Sequence, residues 1–258
     1  DYLIEEQTFV KISEVIVNEN SSQKVQHLNA GIGSIGIEEE LNILRDLGSN
    51  ISPDIVILNL YLNDLESSPA IVLKKIPSYL AWSSIVKHIY QYQSIKDFEK
   101  RETSKAQFSE EEEYSEIEKL FPPADSDENW KTNIGSFNRL ICDWFNDWGK
   151  AFHPQAREMI YQFVTQIKKE SIKINAKLLV VIHPVAQQVE ADFNSNSPQL
   201  GFLELFEKSQ IPTLDLLPFL REKYKEDGKQ LYFDHCHHNY EGSRLVGKKI
   251  SEFILKNM

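Results

Sequence analysis

"LNAGIGSIGIEEE", residues 28–40, sets Gly31, Gly33 and Gly36 in the spacing G-x-G-x-x-G ahead of a helix-like run. Two chemistries use such a turn. One is a dinucleotide fingerprint; the other is a glycine-rich turn serving another chemistry. The fingerprint needs a buried strand before the glycines and an acid at the end of the next strand. "PDIVILNLYLND" does end at Asp64, but Gln26, His27 and Asn29 crowd the approach to Gly31, where such a strand would be aliphatic. The non-cofactor reading is the one carried forward, and both readings place the stretch in an α/β fold.

Outward from this turn the chain alternates strand and helix patterns. Strands are expected at "VQHL" 25–28, "DIVILNL" 54–60, "AKLLVVI" 176–182 and "IPTLD" 211–215. The second and third are nearly continuous aliphatic runs, as in parallel strands covered on both faces. Phe9, Ile12 and Ile16 recur at helical spacing before the first strand, and "GIEEELNILRDLG" follows the glycines as a helix. Residues of about 66–160 form a long insertion, a common place for a lid or substrate-selecting element. It opens with the helix candidate "PAIVLKKIPSYLAWSSIVKHIYQY" and closes with a stripe of Ile134, Phe137, Ile141, Trp144 and Trp148, expected to pack on the sheet. Its aromatic residues, among them Trp82, Tyr90, Tyr92, Trp130 and Trp144, suit an acyl or glycan cleft, although a helical core accounts for most of them. The acid run Glu110–Glu113 is expected to be a solvated face or loop.

Composition narrows the function. The chain has 258 residues, 41% hydrophobic, with a formal net charge of -11. That charge argues against nucleic acid as a partner, since phosphate binding depends on Lys and Arg. No apolar run approaches the roughly 20 residues needed to span a bilayer. Two cysteines, Cys142 and Cys236, allow at most one disulfide and leave the compartment open.

The chemistry concentrates in "LYFDHCHHNYEGSRLVGKKISEFI", 231–254. Asp234 and His237 make D-x-x-H on a loop before a helix whose buried face is Val246, Ile250, Phe253 and Ile254. An acid that close to an imidazole fixes its tautomer and steadies the imidazolium, as a general base serving a hydroxyl requires. A metal reading of Asp234, His235, Cys236, His237 and His238 competes, but consecutive ligands rarely converge on one ion, so no metal is expected. The plain alternative is that Asp234 and His237 cap the last helix.

The order of "NAGIGSIG", "PDIVILNLYLNDL", "AKLLVVIHP", "IPTLDLLPFL" and "DHCHHNYEG" resembles the SGNH (GDSL) hydrolases, a family of esterases and lipases. The resemblance spans nearly the whole chain outside the insertion. It implies a single three-layer α/β/α domain of flavodoxin-like type with a mainly parallel sheet. It implies Asp234 and His237 as catalytic residues, with Asn63 and the Ser34 amide as oxyanion donors. A one-residue shift brings in Gly33 instead, and the two stay open. Asp64 and His183 stand near the same end of the sheet as pocket candidates; Asp215, His88 and His153 are left out of the site. Tyr61 and Ser34 stand where the family has glycine. The family's Gly-Asp-Ser nucleophile is not in these 258 residues, so the first strand and the serine are expected upstream of Asp1. The implied reaction is hydrolysis of a carboxylic ester through an acyl-enzyme, with no cofactor, on a small-molecule, lipid or acylated-glycan ester. The alternatives are a non-catalytic binding module and acyl transfer to a polysaccharide.

Overall fold

The computed structural model describes residues 3–33, 35–64, 110–124 and 129–258, with isolated positions 86, 89 and 90. Helix α1 (Phe9–Asn20) starts on Thr8, whose hydroxyl accepts from the Lys11 amide. Helix α2 (Ile37–Ile51) starts at Gly36, with Glu39 reaching back to the Gly36 amide. Strand β1 (Ile55–Tyr61) follows. The insertion contributes α3 (Glu110–Leu120), α4 (Ile134–Asp143) and a 3-10 turn, Trp148–Phe152. Then come α5 (Pro154–Lys173), β2 (Lys177–His183), α6 (Ala186–Glu190), α7 (Ser197–Lys208), β3 (Thr213–Asp215), α8 (Leu217–Asp227) and α9 (Tyr240–Asn257).

The three strands are parallel in the order β1-β2-β3, with Ile55 opposite Lys177, Tyr61 opposite His183, and Ile182 opposite Asp215. Alternation of side chains sends Leu58, Leu60, Leu178, Val180 and Ile182 to one face, where they pack on α2, α5 and α7. Ile57, Val181 and Leu214 face the other way, onto α1, α6, α8 and α9. Each face has its own core, and the fold is a three-layer α/β/α sandwich. Phe137, Ile141, Trp148 and Phe152 of the insertion join the first core. Helices α1 and α9 approach closely at Gly247, where a Cβ would strike Ile12 and the Phe9 carbonyl.

Two expectations need correction. "VQHL" 25–28 forms no strand. Part of its backbone pairs with α1 instead: Asn18 bridges both polar groups of Val25, and Glu14 accepts from the His27 amide at 2.6 Å. The aromatic stripe of the insertion also breaks. Helix α4 ends at Asp143 and the chain turns through 144–147, leaving Ile134 60% and Trp144 39% exposed while Phe137, Ile141 and Trp148 are buried. The helix candidate at 69–92 falls largely outside the described residues, as do His88, Trp82 and Tyr92. Glu112 and Glu113 lie on α3, with Glu113 paired to Lys150.

Candidate functional site

The D-x-x-H stretch is a tight loop pinned at its neck. Tyr232 and His238 form an antiparallel bridge, and the Phe233 amide donates to the His237 carbonyl at 2.8 Å. Inside it Asp234 Oδ1 accepts the amides of Cys236 (2.9 Å) and His237 (2.8 Å), and Oδ2 lies 2.8 Å from His237 Nδ1. Burial alone would push the Asp234 carboxyl up. The His237 and Cys236 amides and the His237 ring outweigh it and hold it down at about 2. The His237 side chain is 74% exposed, and among the described residues its Nε2 has no hydrogen-bond partner. The ring is oriented from one side and open on the other.

The loop docks at the carboxyl end of the sheet. The Ala186 amide, just past β2, donates to the His235 carbonyl at 2.8 Å, and Tyr232 Oη donates to the Pro184 carbonyl at 3.0 Å. A run of rings ties it to the strand ends: Tyr61 stacks on His183 with centroids 4.3 Å apart, His183 lies 5.4 Å from His238, and His238 lies 4.6 Å from Tyr232. His183 is wholly buried, with Nε2 3.1 Å from Asn59 Oδ1, so it is a core residue at this end of the sheet and no cleft wall. Burial drives its imidazole, and that of His238, well below the usual histidine range. Tyr61, standing where the resemblance has glycine, is one half of this cross-strand stack.

Asn63 and Asp64 follow β1 after Leu62. Asn63 is half-buried. Asp64 is buried, its Oδ2 accepting the Tyr61 amide at 2.8 Å, and its carbonyl accepts the first amide of α2, that of Ile37, at 3.0 Å. The structure therefore brings the end of the glycine segment to Asn63 and Asp64. Gly33 is exposed, with open space around the position of a Cβ, and Ser34 lies outside the described residues. The positive φ among described glycines belongs to Gly228, so Gly31, Gly33 and Gly36 make their turn without left-handed backbone.

Cys236 sits 3.5 Å from His237 Nδ1, an arrangement that raises the question of a thiolate nucleophile. Burial, and then the carboxylates of Asp234 and Asp147, push its thiol up to about 12. A protonated thiol is a poor nucleophile. Both cysteines are free and buried. Ligand atoms of Asp234, His235 and Cys236 lie within 4.8 Å of one another, yet both Asp234 oxygens are already engaged by the loop.

Sequence reasoning missed a second acid–imidazole pair: His235 Nε2 lies 3.0 Å from Asp147 Oδ2, and the His235 ring packs on Trp144 at 5.0 Å. The partners are far apart in sequence, and nothing local announces them. Asp215 caps α8 through the Leu217 amide, and His153 caps α5 while pairing with Glu116.

Fold and loop together define an α/β/α domain with an oriented acid–imidazole pair at the carboxyl end of its sheet. A solved structure of an acetyl xylan esterase, AlAXEase, is similar to it, with a TM-score of 0.51 and 13% identity over 96% of this chain and 91% of that one. At that identity the likeness concerns the fold. No protein-family model and no curated protein matches the sequence. Among the described residues no helix is long and apolar enough to cross a membrane.

Proposed function

We propose that the chain is a serine ester hydrolase of the SGNH type, with His237 as general base and acid and Asp234 as its orienting partner. The observation that carries this is the 2.8 Å contact from Asp234 to His237 Nδ1, with Nε2 left open at the carboxyl end of a parallel sheet. The fold-level likeness to an acetyl xylan esterase is in keeping with it. So is the outer edge of β1, a seven-residue strand with no strand partner on that side among the described residues. In this reading a further strand lies along that edge and presents the serine.

The serine Oγ attacks the ester carbonyl carbon while His237 Nε2 takes its proton. The C–O bond to the alcohol breaks, and the leaving oxygen takes that proton from His237. Water then repeats the sequence on the acyl-enzyme and releases the acid. Asn63, with the amide of Ser34 or Gly33, donates to the oxyanion.

Fluorophosphonate labelling of the full-length protein, with the adduct located by mass spectrometry, tests this. A labelled serine, lost in His237→Ala together with roughly 10²–10⁴-fold of ester turnover, is the expected result. A folded protein that takes no label, or near-native turnover in His237→Ala, overturns it.

A further inference from the structure

We propose that the turn 144–149 carries a subsite for a neutral sugar ring, with Trp144 as its stacking platform beside the Asp234–His237 loop. The proposal rests on the hydrolase reading for the sugar's role as part of an ester, though not for its binding.

Trp144 is exposed for a specific structural reason. The other large aromatics near it in the sequence, Phe137, Phe145, Trp148 and Phe152, are all buried to 4% or less. Trp144 is the residue that ends α4, its amide donating to the Leu140 carbonyl; the chain then closes back as Asp147 and Gly149 donate to the Trp144 carbonyl at 3.0 and 2.9 Å. Gly149 makes that closure possible, because a Cβ there would strike the Ile141 and Trp144 carbonyls. The turn thus holds an indole at the surface.

That indole is fixed relative to the loop. His235 meets it ring to ring at 5.0 Å, with planes 39° apart, while the same imidazole meets Asp147 of the same turn at 3.0 Å. The His235 carbonyl is held by Ala186. An aromatic surface ordered before binding costs little to engage.

The surroundings select the ligand. A pyranose offers a flat C–H face whose positive edge suits the negative face of an indole, and a rim of hydroxyls that needs hydrogen-bonding groups. The Asp234 carboxylate, half exposed, and His237 provide such groups, with the Asp147 carboxylate held by His235 behind them, whereas a fatty acyl chain needs an apolar trough. Phe233 and Tyr240, on either side of Asp234 and His237 in the sequence, are 55% and 51% exposed. The two carboxylates and the net charge of -11 disfavour an anionic sugar.

The test is calorimetric titration of the full-length protein with cellohexaose, mannohexaose and xylohexaose, read without turnover. At least one should bind, Trp144→Ala should weaken it by roughly tenfold or more, and Trp144→Phe should recover part of the loss, with thermal midpoints unchanged. No binding of any hexaose, or binding indifferent to Trp144→Ala, overturns the subsite. If ester hydrolysis is present in that case, the hydrolase reading stands alone; sugar binding without hydrolysis is the converse result.

Discussion

Asp234 and Asp64 are carboxyl groups at one end of the same sheet, and their surroundings drive them in opposite directions. Amide donors keep Asp234 charged throughout the range in which an imidazole base works. Asp64 is pushed well up, first by burial and then by the nearby Glu40 carboxyl, which burial itself raises to about 7. A carboxyl whose folded pKa exceeds its unfolded value, about 3.8 for Asp64, favours the folded state fully below that value. The contribution is lost as pH rises through the folded pKa. Asp64→Asn keeps an oxygen for the Tyr61 amide and removes the charge. It should raise Tm relative to the parent by on the order of 2–5 °C at pH 8 and by much less at pH 4. Scanning calorimetry at both values checks this; equal shifts at the two would mean that Asp64 is ionised without cost in the fold.

At the scale of elements, the turn between α4 and the 3-10 helix depends on one missing side chain. Gly149→Ala forces the new Cβ against the Ile141 and Trp144 carbonyls, and backbone atoms cannot swing aside as a side-chain tip can. A loss of about 1–3 kcal/mol in urea unfolding is expected, together with a changed environment for Trp144. An unaltered midpoint would show that the turn opens at no cost, and with it that Trp144 is loosely held. The same elements show what local sequence can and cannot convey. β1 and β2 were legible because a short, nearly continuous aliphatic run bounded by polar residues suits little besides a buried strand. The contact between Asp234 and His237 was legible because the loop that joins them spans three residues. "VQHL" misled because alternation over four residues fits any extended segment, and the decisive partner, Asn18, lies on a helix. Trp144 misled because its helical spacing from Phe137 and Ile141 continues after the helix has stopped. The Asp147–His235 pair and the Tyr61–His183 stack exist only after folding, so no spacing rule reaches them.

Across the whole molecule, the Asp234–His237 loop stands on a neutral polar floor. His183 and His238 lie in the layer between the sheet and helices α1 and α9, with Phe9 against both rings at 5.5 and 6.5 Å. Burial is the main cause that holds both uncharged, His238 down to about 3, and each is also disfavoured by a histidine beside it. The sign here is opposite to that of Asp64. A histidine with a depressed folded pKa leaves the unfolded chain binding more protons below about 6.5. Its contribution to stability is therefore present above that value and is lost as pH falls toward the folded pKa. Asp64 and Glu40 work against this loss over part of the same range, so the parent's pH profile mixes the two. His238→Phe separates them. Phenylalanine keeps a ring against Tyr232 and carries no proton to gain, and among the described residues His238 Nε2 has no hydrogen-bond partner to lose. The fall in Tm between pH 7.5 and pH 4.5 should shrink by on the order of 2–5 °C in the variant. An undiminished fall would place the acid sensitivity elsewhere. A diminished one would tie the integrity of the α1/α9 layer to the neutrality of the histidines beneath the Asp234–His237 loop, so that acid would undermine that loop's support well before it protonated Asp234.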